Sequence, residues 1–186
     1  MMDCSRCIMV NPDPATSLIR ISLASQRLEL LREGRIEHSY RVSTATNGPG
    51  EQSGSGCTPC GWHEIRAKIG AGCAPDTVFV SRRPTGEIYT QELAAAYPER
   101  DWILSRILWL RGLERGLNRH GRVDSMRRYI YLHGCPDSEP MGIPRSHGCV
   151  RMRNADVIDL FDRVAASTRV WIQKAAFDKQ TPTQPR

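Results

Sequence analysis

Short stretches in which apolar and polar residues alternate recur along most of the chain. In "LIRISLA" the apolar side chains of Ile19, Ile21 and Leu23 fall on every second residue, which is the period of a half-buried strand. Similar stretches are "RLELLR", "RIEHSYRVST", "WHEIRAKI", "DTVFVSR", "EIYT", "RRYIYLHG" and "TRVWIQ". Because the regular strand–helix alternation of a parallel sheet is absent, this pattern predicts a mainly β domain.

Two segments have a helical pattern instead. "DWILSRILWLRGLERGLNRHG" carries apolar residues at 103, 107, 110, 113 and 117, which predicts a helix over Trp102–Leu117 with a solvated arginine face. "NADVIDLFDRVAAS" predicts a second helix, with Asn154 as its N-cap. Its predicted buried stripe is Val157, Ile158, Phe161, Val164 and Ala165.

The length of 186 residues suits one domain, which we place at residues 17–174 between tails at 1–16 and 175–186. No stretch approaches the roughly 18 apolar residues of a membrane span. The N-terminus "MMDCSRCIMVNPDPATS" has no apolar segment of the kind found in secretion signals. We therefore expect a cytoplasmic protein, or a periplasmic one if a leader has been removed.

Charge and cysteine content narrow the functional classes. The net charge is +6, but the basic residues are spread along the chain and no DNA- or RNA-recognition motif is visible. The charge therefore predicts either a plain basic surface or a site for a carboxylate-rich substrate. Seven cysteines suit a reducing compartment, in which they would be thiols or metal ligands rather than disulfides.

The tripeptide His-Gly-Cys occurs twice, at 133–135 and 147–149. A nucleophilic thiol needs a base and donors for an oxyanion, and the second copy lies between a loop and a helix, where backbone N–H groups can converge. Pro136 follows Cys135 directly and removes the next donor. Cys149 is therefore the favoured nucleophile, although spacing alone leaves open that neither copy is catalytic.

"SHGCVRM", preceded by "YIYLHG", resembles the active-site signature of the L,D-transpeptidase catalytic domain, the YkuD-like family. "MGIPRSHGC", the turn in "CTPCGWHEI" and the strands in "ISLASQRLELLREGRIEHSYRVST" resemble further family segments, so that the resemblance covers about residues 18–173. It implies a β-sandwich with a cleft, a C-terminal helix after Cys149 and a helical lid insertion. Here the lid would contain the helix predicted over Trp102–Leu117.

The resemblance also implies catalytic roles. The family acts on peptidoglycan stem tetrapeptides, at the bond between the L centre of a diamino acid and D-alanine. By resemblance, Cys149 is the nucleophile, His133 is the general base, and the Gly134 carbonyl orients the His133 ring. His147 lies in the site, and the N–H groups of Gly148 and Cys149 hold the oxyanion.

Three further residues are implied to bind substrate: Ser146 and Tyr131, which line the site, and Arg151, whose guanidinium suits a carboxylate. The implied partners are a stem peptide or muropeptide as substrate and a carbapenem-type β-lactam as covalent inhibitor. No cofactor, metal or nucleic acid is expected.

The chain departs from the family pattern in three ways. Cys135 stands where many relatives have threonine or another small residue, and Cys60 fills the variable position of the turn in "CTPCG". The third departure is the absence of a recognisable export signal. A cytoplasmic member would meet released tetrapeptides and water, so we expect an L,D-carboxypeptidase, with transpeptidation to an amine as the other possibility.

Two alternative functions compete with this assignment. The pairs Cys4–Cys7 and Cys57–Cys60, with His63 as a spare ligand, match the spacing of a structural zinc module. The "CTPC" segment also has the spacing of a thiol oxidoreductase. That chemistry requires a helix after the first thiol, whereas a strand is predicted here.

Overall fold

The computed structural model describes residue 13 and residues 16–177. This part of the chain contains ten strands, two α-helices and one short 3-10 helix. In chain order they are β1 (Ser17–Ser22), β2 (Arg27–Arg32), β3 (Arg35–Arg41), β4 (Gly61–Ile69), β5 (Thr77–Val80), β6 (Arg83–Ile88), α1 (Gln91–Ala96), β7 (Ile103–Gly112), the 3-10 helix (Gly121–Val123), β8 (Tyr131–Gly134), β9 (Val150–Met152), α2 (Asn154–Arg163) and β10 (Arg169–Gln173). The predicted mainly β class, with a helix shortly after Cys149, is confirmed. Most of the two predicted tails lies outside the described residues.

The ten strands belong to one mixed sheet in the order β3-β2-β1-β10-β4-β7-β5-β6, and β8 and β9 continue from β7 as a branch. The pairs β1–β10 and β8–β9 are parallel, and the other pairs are antiparallel. The last strand, β10, lies between β1 and β4. Its pairing with β1 therefore brings the first and last strands of the described domain side by side. None of the described helices is long and apolar enough to cross a membrane.

The main core lies where helix α2 packs against the sheet. Val157, Leu160 and Phe161 of the helix are buried there beside Leu132 of β8 and Val150 of β9. Three of the five residues predicted for the buried stripe of α2 are in this core, whereas two, Ile158 and Ala165, are only half-buried. Packing on α2 therefore fixes the positions of β8 and β9.

The helix predicted over Trp102–Leu117 is wrong, because these residues form strand β7 and the turn after it. β7 pairs with β4, β5 and β8 and is covered on both faces. Leu108 faces the main core, whereas Ile107 packs with Phe79 on the other side. A strand that is apolar on both faces loses its alternation, so its apolar positions can also match a helical spacing.

A helix does occur in the segment where the resemblance placed a lid, but it is α1, six residues between β6 and β7. The Thr90 hydroxyl accepts a hydrogen bond from the Leu93 N–H at 3.1 Å and so caps this helix. The residues from Pro98 to Trp102, which follow α1, line a surface cavity. The helical insertion is therefore shorter than predicted and lies earlier in the chain.

Asn154 does not cap α2 as predicted, since Arg153 occupies the N-cap position and Asn154 is the first helical residue. Its buried side chain accepts a hydrogen bond from the Ser105 hydroxyl at 2.8 Å. It also donates to Asp76 at 2.6 Å and to the Cys135 carbonyl at 3.1 Å. The Asn154 amide thus provides hydrogen-bond partners for Ser105, Asp76 and the Cys135 carbonyl. It could not reach them if it faced solvent as a helix cap.

Candidate active site

The parallel pairing of β8 with β9 brings the predicted catalytic residues to one face of the sheet. Leu132 lies opposite Val150, and His133 lies opposite Arg151. Leu132 and Val150 are both in the main core. Because successive side chains of a strand point to opposite faces, His133, Arg151 and Cys149 share the other face.

His133 is buried, and its Nδ1 atom lies 2.8 Å from the backbone oxygen of Gly134. A carbonyl only accepts hydrogen bonds, so Nδ1 carries the proton of the neutral ring and Nε2 keeps its lone pair. Burial lowers the pKa of His133 below its ordinary value. The ring is therefore held neutral and oriented, as a general base requires.

Gly134 has no room for a side chain, because an added Cβ would lie 2.7 Å from the Leu104 backbone oxygen. Its close approach to β7 fixes the carbonyl that orients His133. This backbone arrangement is the one implied by the resemblance.

The Cys149 thiol is half-buried and lies between two tyrosine backbones. Its Sγ donates to the Tyr129 carbonyl at 3.4 Å and accepts from the Tyr131 N–H at 3.4 Å. Burial raises the pKa of the Cys149 thiol to about 12. Within the described residues no hydrogen bond joins Sγ to the His133 ring. The resting thiol is therefore neutral.

The turn before Cys149 is held from inside. Ser146 is buried, and its hydroxyl donates to the Cys149 carbonyl and accepts from the Gly148 N–H at 3.3 Å. Gly148 has a φ of 132°, which strongly favours glycine. The Ser146 hydroxyl thus shapes the turn, and its contact with substrate stays a prediction. The Gly148 N–H makes only a long contact in this state.

The loop at 46–61 braces the same turn. The Thr58 hydroxyl donates to the Gly148 carbonyl at 3.0 Å. The Arg128 guanidinium donates to the backbone oxygens of Glu51 at 2.7 Å and Cys57 at 2.6 Å. Sequence reasoning missed Arg128, because its partners are backbone oxygens and the Ser55 hydroxyl, which leave no sequence motif.

Arg151 is buried, and its guanidinium is already paired with carboxylates of the protein. It donates to Asp101 at 2.8 Å and to Glu139 at 3.1 Å. These residues line a cavity of about 310 Å³, together with the exposed His147, whose Nδ1 lies 3.9 Å from Asp101. His147 and Arg151 thus both line the cavity, and Arg151 also holds the residues after α1 through Asp101.

Tyr131 belongs to an aromatic wall on the other side of Cys149. It is buried, and its hydroxyl accepts a hydrogen bond from Arg82 at 3.0 Å. The Arg82 guanidinium packs against the rings of Trp109 at 4.7 Å and Tyr129 at 4.8 Å. Arg82 was not predicted, because no motif links it to a cysteine so distant in sequence.

The structure separates the two His-Gly-Cys copies. Cys135 is fully buried, and its thiol donates to the Met152 carbonyl at 3.4 Å. Burial raises the pKa of the Cys135 thiol to about 12. Cys149 has a similarly raised pKa, but it is partly accessible and packs beside Tyr131 in the aromatic wall. Accessibility, and not acidity, distinguishes the two thiols.

The described residues contain no group of three or more potential metal ligands. Cys4 and Cys7 lie outside the described residues, and the Cys57 thiol donates to the Asn47 carbonyl at 3.3 Å. His63 is not a spare ligand, since it is buried and its Nδ1 and Nε2 contact the Gly61 carbonyl and the Ser125 hydroxyl. Strand β4 follows Cys60, as predicted, whereas a thiol oxidoreductase would have a helix at this place.

A model of the L,D-transpeptidase catalytic domain, YkuD, matches residues 16–172. Because this match covers most of the chain, the protein belongs to this family of enzymes, and the predicted resemblance is confirmed. No curated protein matches the sequence significantly.

Solved structures of L,D-transpeptidases have the same fold. L,D-transpeptidase 3 from Mycobacterium tuberculosis is 15% identical with a TM-score of 0.53, and the match covers 86% of this chain and 61% of that one. Its complex with a faropenem-derived adduct matches at 14% identity with a TM-score of 0.52, over 86% and 60% of the two chains. An L,D-transpeptidase from Mycobacterium smegmatis is 16% identical with a TM-score of 0.50, over 85% and 58%. The chain thus spans about three fifths of the length of these structures.

Proposed function

We propose that this protein is a cysteine acyl-enzyme that cleaves the bond between the L centre of a diamino acid and D-alanine in peptidoglycan stem tetrapeptides. One observation carries the proposal: Cys149 and His133 lie on the same face of the sheet as Arg151, which lines the cavity, and the Gly134 carbonyl leaves the His133 Nε2 lone pair available. Family membership supplies the reaction class.

In the acylation step, His133 Nε2 takes the proton from Cys149 while Sγ attacks the scissile carbonyl carbon. The oxyanion is held by backbone N–H groups at Gly148 and Cys149. As the intermediate collapses, the C–N bond breaks and the imidazolium returns its proton to the D-alanine amine. The product is a thioester on Cys149, with the tripeptide part as its acyl group.

The pKa shifts of both groups support proton transfer during attack. The thiol pKa near 12 and the lowered pKa of His133 favour a neutral pair at rest over a preformed thiolate–imidazolium pair. His133 must therefore act as a true base in each cycle.

We infer that water resolves the thioester, which makes the enzyme an L,D-carboxypeptidase. His133 would deprotonate the water, the C–S bond would break, and the proton would return to the sulfur. The five described cysteines are all free thiols, which suits a reducing cytoplasm. Released tetrapeptides and water would meet the enzyme in that compartment.

We also propose that β-lactams with a strained carbonyl acylate Cys149. Related folds have been solved with a faropenem-derived adduct and as an avibactam carbamoyl enzyme. Cys149 is half-buried next to β9, the strand that pairs with the strand of His133, whereas Cys135 has no exposed surface, so a single adduct at Cys149 is expected.

The test is to incubate a muropeptide tetrapeptide with the protein, with and without excess D-amino acid, and to analyse the products by mass spectrometry. Tripeptide plus D-alanine in both samples supports the carboxypeptidase. Exchange product that dominates at modest D-amino acid concentration identifies a transpeptidase. An intact tetrapeptide in both samples refutes the proposed reaction, and a compartment-reporting fusion tests the location separately.

A further inference from the structure

Arg82 is a guanidinium beside the candidate nucleophile without a carboxylate partner. Within the described part of the chain no acidic group lies within ion-pair distance of it, and its one hydrogen-bond acceptor there is the Tyr131 hydroxyl. Arg151 differs from Arg82, since its guanidinium forms ion pairs with the carboxylates of Asp101 and Glu139. A partly exposed guanidinium with unused donors is suited to an anion that arrives from solution.

The backbone presents Arg82 at the tip of a tight hairpin. Val80 of β5 pairs with Arg83 of β6, so Ser81 and Arg82 form a two-residue turn. Their φ angles are 49° and 67°, and such values at both turn positions are usually filled by asparagine and glycine. Tyr129, which contacts Arg82, also has a positive φ of 57°. Strained backbone in non-glycine residues is typical of functional sites.

The contacts of Arg82 lead directly to the Cys149 sulfur. Tyr131 accepts from Arg82 through its hydroxyl and donates to Sγ through its backbone N–H at 3.4 Å. Tyr129 stacks on Arg82 and accepts from Sγ through its carbonyl at 3.4 Å. The guanidinium is thus one residue away from the sulfur along two independent paths, and its position is fixed by the rings of Tyr129 and Trp109.

We propose that Arg82 binds the terminal carboxylate of the substrate and so selects peptides in which the scissile bond precedes the last residue. This inference rests on the proposed function, because a carboxypeptidase cleaves one residue before a free carboxylate. A guanidinium held by the two residues that contact the reacting sulfur can bind such a carboxylate with two parallel hydrogen bonds. Arg151, to which the family resemblance gave this role, then holds Asp101 and Glu139 instead.

The test compares a stem tetrapeptide that has a free C-terminal carboxylate with the same peptide as its C-terminal amide. For Arg82→Gln we expect kcat/KM on the acid to fall about 10- to 100-fold, mainly through KM, with the amide unchanged within about twofold. The kcat/KM of Arg82→Lys on the acid should lie between the values of the unchanged protein and Arg82→Gln. Arg83→Gln, an exposed neighbour on the same hairpin, is the matched control and should behave like the unchanged protein.

Equal losses on acid and amide would give Arg82 a merely structural role and overturn the proposal, as would an unchanged KM for the acid. Melting curves of each variant show whether the fold is kept. If the unchanged protein cleaves neither peptide, the proposed reaction fails, and Arg82 is then tested by acylation with a carbapenem and with its carboxyl methyl ester. Slower acylation of Arg82→Gln by the acid alone supports the carboxylate site. Equal rates, or no acylation of the unchanged protein, overturn it.

Discussion

Asp101 accepts a hydrogen bond from Arg151 at 2.8 Å, so the guanidinium predicted to hold a substrate carboxylate instead holds a carboxylate of the protein. Asp101 belongs to the segment that follows α1, and Arg151 belongs to β9 beside the candidate nucleophile. Glu139 occupies a second donor of the same guanidinium. This ion cluster connects the residues after α1 to β9.

Arg151→Lys should therefore lower stability more than it changes substrate binding. An ammonium cannot donate to both carboxylates in the geometry of the guanidinium, so we expect a loss of about 1–3 kcal/mol in the free energy of unfolding. KM for the tetrapeptide should change less than about threefold, an effect below about 1 kcal/mol. Urea unfolding and steady-state kinetics measure the two effects. Asp101→Asn is the milder control, and a large rise in KM for Arg151→Lys would restore the sequence-based assignment.

Cys149→Ala should abolish turnover, with a loss of about 10⁴-fold or more, because removing a nucleophile removes the whole cooperating unit. Cys135→Ser should keep much of the activity. The Cys135 thiol is buried and donates to the Met152 carbonyl, a bond that a serine hydroxyl also makes. D-alanine release by both variants at equal protein concentration is the measurement. An active Cys149→Ala enzyme together with an inactive Cys135→Ser enzyme would reverse the assignment.

A carbapenem should acylate the protein once, at Cys149. Intact mass after incubation counts the adducts, and peptide mapping locates them. The Cys57 thiol is the control within the same chain, since it is also half-buried but its sulfur donates to the Asn47 carbonyl at 3.3 Å. A second adduct at Cys57, or none at Cys149 while tetrapeptide is cleaved, would contradict the proposed site.

The sequence predicted most strands and the helix after Cys149, because their apolar residues recur with a regular period, as the alternating buried and half-buried residues of β10 show. β7 was not predicted as a strand, since both of its faces are covered. Its apolar residues therefore do not alternate regularly with polar ones. Period alone cannot separate a doubly buried strand from a helix. Pairing with β4, β5 and β8 made the difference, and those partners are distant in sequence.

The His133–Gly134 and Cys149 segments were predictable because their residues lie within a short stretch that carries a family signature. The residues around these segments were not predictable from the sequence. Arg82, Arg128 and Asp101 reach the site from three separate loops, and their partners are a hydroxyl, backbone oxygens and another charged side chain. Such contacts depend on tertiary packing, so the spacing of residues along the sequence does not predict them.

The rate should depend on pH through His133. Burial lowers the pKa of this ring, and the base must be neutral to take the thiol proton. We therefore expect kcat/KM to be level near neutral pH and to fall on acidification with a midpoint below 6.5, the ordinary value for histidine. A profile of D-alanine release between about pH 5 and 8 measures it. A midpoint clearly above 6.5 would show that the protonated ring is stabilised instead.

Stability should fall in the same range because of His63, which is buried between the Gly61 carbonyl and the Ser125 hydroxyl. Burial lowers the pKa of His63 from 6.5 to about 4. The unfolded chain thus binds a proton below pH 6.5 that the folded protein does not bind until about pH 4, so unfolding becomes easier as the pH falls between these values.

From pH 7.5 to pH 5 this group alone should cost about 2 kcal/mol of unfolding free energy, and the loss should level off below its folded pKa. His63→Gln removes the titration and keeps an amide able to donate and accept, so its pH dependence should be smaller by about that amount. His147→Gln, at an exposed position, should keep the full dependence. Urea unfolding of the three proteins at both pH values tests this, and identical slopes for the unchanged protein and His63→Gln would exclude His63 as the source. Activity below about pH 6 must be corrected for the unfolded fraction found in this way before the His133 midpoint is assigned.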